Sequence, residues 1–114
     1  MPTTAPYVDL YLLPVPRANL EAYRDQAATF AAITREHGAL SYREFLGDDT
    51  TETMPVEDGT VLTAAVVEFS SRRHRDEVMA TVMADPRVEA MVDVPQPADM
   101  SRMRYGGFAP FVTA

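Results

Sequence analysis

With 114 residues, 46% of them hydrophobic and 24% charged, the chain has the size and balance of one globular domain around a single core. A net charge of −7 tells against nucleic acid or anionic lipid as a partner. The absence of cysteine excludes disulfides, thiolate catalysis and thiolate metal sites.

The opening residues show no basic region followed by an apolar run, and Leu10 to Val15 is too short to cross a membrane. A cytoplasmic protein without membrane attachment is therefore expected. Residues 1–6 read as a loose, flexible tail. Tyr7 to Leu13 alternates as a first strand. Val8, Leu10 and Leu12 share one face; Tyr7, Asp9, Tyr11 and Leu13 share the other. Pro14 and Pro16 are expected to end it. Asn19 is a suitable N-cap for a helix over about Leu20 to His37, where Leu20, Tyr23, Ala27, Phe30 and Ala31 make one stripe. Gly38 can close that helix in the left-handed conformation.

Leu40 to Leu46 reads as a second strand, and Gly47-Asp48-Asp49 turns the chain into a polar loop reaching Gly59. Val61 to Phe69 is nearly all apolar or β-branched, which suggests a central strand covered on both faces. Ser70 or Ser71 caps a second helix running to about Ala84, with Val78, Met79 and Val82 on its inner stripe and Arg75 along the same side. Asp85-Pro86 starts a short helix through Val92. Val94-Pro95-Gln96-Pro97 is extended. Met103 to Val112 is the last strand, and its Gly106, Gly107 and Pro110 ask for an edge position or a bulge.

The order βαββαβ is the ferredoxin-like pattern: an α+β domain spanning residues 1–114, with an antiparallel four-stranded sheet and two helices on one face. Right-handed crossovers are taken to set strands one and three side by side and parallel at its centre. The helices are expected to cover the Val8 face, because it is uniformly aliphatic. The face with Tyr7, Tyr11 and Leu13 is then open and too apolar for water, which points to a homodimer enclosing a shared interior.

Several blocks resemble a known family. They are Val15-Pro16 with Asn19-Leu20-Glu21-Ala22-Tyr23-Arg24, and His37-Gly38-Ala39-Leu40 with Tyr42, Glu44 and Gly47-Asp48-Asp49. Further on come Ser71-Arg72 with His74-Arg75-Asp76, Val82-Met83 with Asp85-Pro86-Arg87, and Met103 with Tyr105-Gly106-Gly107-Phe108. Together they are similar to the YbaA-like uncharacterised bacterial family, domain of unknown function 1428. The resemblance implies a ferredoxin-like subunit and a homodimer of the dimeric α/β-barrel kind. It carries over no catalytic residues. Ala64 and Ala65 stand where bulkier residues, one of them aromatic, are expected from the family.

Asp9 is unusual, since a carboxylate in the middle of a strand is costly unless bonded. It is either a general base with a raised pKa, flanked by Tyr7 and Tyr11, or a structural carboxylate held by an Arg or Tyr across a dimer. Tyr42 and Glu44 share one face of the second strand and offer a phenol beside an acid or base, or are ordinary edge decoration. Arg72-Arg73-His74-Arg75 crowds cations into a first helical turn, where the helix dipole opposes them. An anionic ligand or salt bridges to Asp76 and Glu77 would compensate. Arg75, on the inner side, needs a buried partner. His37 and His74 make no metal-ligand spacing, so no metal and no cofactor are expected. The methionines read as core or hinge packing.

The candidate catalytic residues are thus Asp9 and Glu44. The candidate ligand-binding set is Asp9, Tyr11, Tyr42, Glu44, His74, Arg75 and Tyr105. The leading reading is a homodimer that binds a small organic molecule in its interior, with cofactor-free chemistry open. The alternative is a noncatalytic interaction protein with a packed interior.

Overall fold

The computed structural model describes residues 6–114, so all of the expected tail except Pro6 lies outside the described residues. The chain runs β1 (Tyr7–Pro16), α1 (Leu20–Glu36), β2 (Ser41–Leu46), β3 (Thr60–Phe69), α2 (Arg72–Met83), α3 (Pro86–Val92) and β4 (Arg104–Phe108). Short 3-10 turns at Arg17–Asn19 and Met100–Arg102 precede α1 and β4. No helix among the described residues is long and apolar enough to cross a membrane.

The strands form one sheet in the order β2-β3-β1-β4, and every neighbouring pair is antiparallel. The expectation that strands one and three run parallel is therefore corrected. Each helical crossover joins strands with one strand between them in the sheet, β1 to β2 past β3 and β3 to β4 past β1, and that middle strand runs the other way.

Pro14 and Pro16 do not end β1 either. They pair with Leu62 and Thr60 of β3. β4 accompanies β1 only as far as Leu12, so beyond that point β1 is an edge and a missing N–H can face outward without cost. β4 itself is shorter than expected and ends at Phe108. Ser71 caps α2 by accepting from the His74 N–H, and Asp85 caps α3 by accepting from the Arg87 N–H, with Pro86 at the first helical position. Asn19 precedes α1 but makes no side-chain cap; its amide donates to the Pro97 carbonyl instead. Gly38, at φ +119°, closes α1 as its left-handed conformation allows.

The larger correction concerns the two sheet faces. Ile33 of α1 and Val78 and Val82 of α2 pack in one cluster with Val67 and Phe69 of β3, and Tyr7, Tyr11 and Tyr42 lie against it. Both helices thus cover the face that bears Tyr7, Asp9, Tyr11 and Leu13. Val8, Leu10 and Leu12 lie on the other face, beside Val66 and Ala64 in register, and remain half-exposed. β3 alternates accordingly between buried and half-buried residues instead of being covered on both sides. A second cluster, Leu13, Val15 and Ala98 with Leu20, Tyr23 and Met103, closes the β1 end.

Candidate functional site

Two rows of side chains cross the covered face of the sheet. One reads Tyr42, Val67, Asp9 and Gly107; the next reads Glu44, Ala65, Tyr11 and Tyr105. Ala65 sits between Glu44 and Tyr11, and its short side chain leaves space above the sheet. A cavity of about 600 Å³ opens there, between the sheet and the layer formed by α1, α2, α3 and the segment that follows. The size falls in the range of small-molecule sites.

One end of the cavity is built on Asp9. Its side chain is 6% exposed, and the Arg75 guanidinium donates to it at 2.6 Å. Tyr11 donates more weakly, at 3.4 Å. Arg75 also donates to Asp76 at 2.8 Å and lies over the Tyr7 ring, 5.2 Å from its centroid. It can lie there because Gly107, opposite Asp9, has no Cβ. One placed on Gly107 would come within 2.0 Å of the Tyr7 hydroxyl and 2.7 Å of Arg75 Nη1. Burial raises the Asp9 carboxyl above its ordinary value, with Arg75 opposing. Burial also raises the Tyr11 phenol, helped by the Asp9 charge. Tyr105 stacks on Tyr11 at 5.7 Å between centroids and is largely exposed, at the rim.

The other end is built on Glu44. Tyr42, two residues before it on β2, donates to one carboxylate oxygen at 2.9 Å; Tyr23, from α1, donates to the other at 2.9 Å. The Tyr42 ring is fixed edge-on against Phe30. Burial, then the adjacent carboxylate, raises both phenols, Tyr23 to about 12 and Tyr42 further. Each therefore stays a neutral donor at ordinary pH. The remaining walls are soft and apolar: Met79, Met83, Met91, Met100 and Met103 all border the space, with Phe30 and Val88. Gln96 fastens the covering segment, bonding the Met91 and Val94 carbonyls and meeting Gln26 of α1.

Chemically, the arrangement places two carboxylates on one wall in different surroundings. Asp9 has its pKa moved upward by burial, which suits a proton acceptor, while the guanidinium beside it holds the carboxylate in place and opposes that shift. Glu44 accepts from two phenols and is fixed as an anchor.

Of the residues singled out in the sequence, Asp9, Tyr11, Tyr42, Glu44, Arg75 and Tyr105 all border this cavity. His74 does not. Its Nδ1 accepts from the Ser70 N–H and its ring packs edge-on against Phe69, so it serves the start of α2. Arg73 pairs with Glu77 on the outer side of that helix. Tyr23, Ala65 and the methionines were not anticipated as site residues. Tyr23 was legible as part of the α1 stripe, and Met79 and Met83 as a pair one turn apart.

A separate cluster brings Glu36, His37 and Asp85 together, with ligand atoms within 4.8 Å of one another. Arg87 pairs with both carboxylates there, standing where a bound cation would, and His37 Nε2 lies 2.8 Å from Asp85. Arg87, with His37, holds the Asp85 carboxyl well below the usual carboxylate range. None of these four residues borders the cavity.

A ferredoxin-like sheet with a polar-ended cavity under its helices defines the fold, and comparison with known proteins places the chain within it. Residues 6–100 match the family model described as protein of unknown function (DUF1428), and the chain belongs to that family. It is 31% identical over 110 residues to the uncharacterised protein YbaA of Escherichia coli K12, covering 90% of this chain and 93% of the relative. The Shigella flexneri protein of the same name matches equally. Among solved structures, Rv0793 from Mycobacterium tuberculosis aligns with a TM-score of 0.64 at 16% identity, over 96% of this chain and 99% of that one. A dimeric ferredoxin-like protein from an uncultured marine organism aligns with a TM-score of 0.63 at 10% identity, over 96% and 100%.

Proposed function

We propose that the protein binds a small organic molecule in the cavity between helices and sheet, and that it does so as a homodimer joined through the Val8, Leu10 and Leu12 face in the dimeric α/β-barrel manner. The observation that carries the first part is the cavity of about 600 Å³ with Asp9–Arg75 at one end and Glu44 under two phenols at the other. Apolar walls with a few convergent polar groups are the usual build of a ligand site. An interaction protein with a packed interior has no use for such a space. The centre of the face offered for dimerisation is apolar, with Val8, Leu10 and Leu12 beside Val66 and Ala64 and with Glu68, Arg43 and Arg104 around them, and a solved neighbour of the same fold is described as dimeric. The ligand sites would then lie one in each subunit, not in a shared interior between them.

Methionine methyl signals test the first part directly. Phenol and indole, titrated into the protein, are expected to move the methyl resonances of Met79, Met83, Met91 and Met103 and leave that of Met54, in the loop before β3, in place. Ala65→Phe should fill the cavity floor and abolish the response while the fold stays intact. Cavity methyls that respond to neither compound, or respond equally in Ala65→Phe, would refute the reading.

A further inference from the structure

Hydrogen bonding by the hydroxyls of the cavity is one-sided. A neutral hydroxyl carries one hydrogen and two lone pairs. Tyr23 and Tyr42 both give their hydrogen to Glu44. Thr63 gives its hydrogen to the Leu13 carbonyl at 2.9 Å, and Tyr11 turns its own toward Asp9. These four side chains leave only lone pairs for an incoming molecule. Each oxygen of Glu44 takes one phenol and keeps further acceptor capacity, since a carboxylate offers about four lone-pair sites.

The charge balance points the same way. Arg75 is the only cationic side chain bordering the cavity among the described residues, and it already holds Asp9 and Asp76. Asp9 and Glu44 both border the space, so fixed negative charge exceeds positive. An organic anion would have to compete with two carboxylates for Arg75. At the other end it would meet the Glu44 carboxylate and two phenols whose hydrogens are already spent on it. An ammonium or amine meets a carboxylate already oriented to accept, and a charge-assisted bond of that kind is roughly twice as strong as a neutral one.

We infer that the cavity selects a molecule with an apolar body and a hydrogen-bond-donating head, an amine before an alcohol, seated on Glu44, and that it rejects organic carboxylates. This rests on the ligand-binding reading proposed above and names the class of ligand.

Phenethylamine, phenethyl alcohol and hydrocinnamate carry one phenyl ring on the same two-carbon arm and differ in the head. Titrated at neutral pH against the cavity methionine methyls, they should bind in the order amine, alcohol, carboxylate, with the amine at least about tenfold tighter than the carboxylate. Glu44→Gln keeps the shape and should bring amine and alcohol to equal affinity. Glu68→Gln, on the opposite face, should leave the order unchanged. A carboxylate that binds the unaltered protein as tightly as the amine overturns the donor preference, whether or not the variants fold. An amine advantage that survives in a folded Glu44→Gln removes Glu44 as its source. Silence from all three compounds overturns the ligand-binding reading itself, and the preference with it.

Discussion

Arg75 and Arg73 are two residues apart in α2 and lie in opposite surroundings. The Arg75 side chain is 21% exposed and holds Asp9 at 2.6 Å, whereas Arg73 is 90% exposed beside Glu77. Removing one partner of a largely buried pair leaves an uncompensated charge, so Arg75→Ala should destabilise by about 3 kcal/mol. An exposed pair one helical turn apart contributes about 0.3–0.5 kcal/mol, so Arg73→Ala should scarcely move the urea midpoint. Equal small shifts in the two variants would show that the Asp9 pair contributes nothing. Asp9→Asn is expected to cost less than Arg75→Ala, because it removes a carboxylate that burial already disfavours in its charged form. At this scale the sequence was informative: Asp9 and Arg75 each stood out as a charge in the wrong place. Their pairing was not legible, because 66 residues separate them and no local pattern spans that gap.

Among the elements, β4 has the least side chain and the most positional consequence. Gly107 faces Asp9 across the ladder and lies under Tyr7 and Arg75. In Gly107→Ala both overlying side chains can swing aside, so the strand should survive and the Asp9–Arg75 bond should not. Adding Arg75→Ala to that variant should then cost little more, as expected of residues acting through one contact. Gly106→Ala should be close to neutral, its nearest neighbour being a Phe108 ring atom at 3.8 Å. Full additivity of Gly107→Ala and Arg75→Ala in denaturant melts would separate the glycine from the pair. Element order and nearly every boundary were readable from periodicity and caps. The face assignment was reversed. Alternation on β1 defines two faces without saying which one the helices take, and a uniformly aliphatic face serves an interface between copies as well as a core. The polar residues of the other face are tolerated under the helices because α1, α2 and β2 each supply a partner.

For the whole molecule, the proposed dimer rests on the uncovered sheet face. Leu10 and Val66 are neighbours in register near its middle, and Phe45 and Phe108, about half exposed, stand toward its edges. Light scattering at micromolar concentration should give twice the chain mass. Leu10→Asp with Val66→Asp should give single chains, and in the unaltered protein the melting temperature should rise with protein concentration, as linkage between folding and association requires. A single-chain mass for the unaltered protein would refute the assembly. The methionines that border the cavity bring a different kind of exposure. The chain has no thiol to intercept an oxidant, and five of its seven methionines ring one space. Thioether oxidation converts a pliable apolar side chain into a polar, chiral sulfoxide. Met83 and Met100, 55% and 40% exposed, put the cavity wall within reach of peroxide, which would add acceptor oxygens where the surface had been greasy. The domain would keep its fold while losing the binding proposed for the cavity, a form of inactivation that enzymatic reduction of the sulfoxides would reverse.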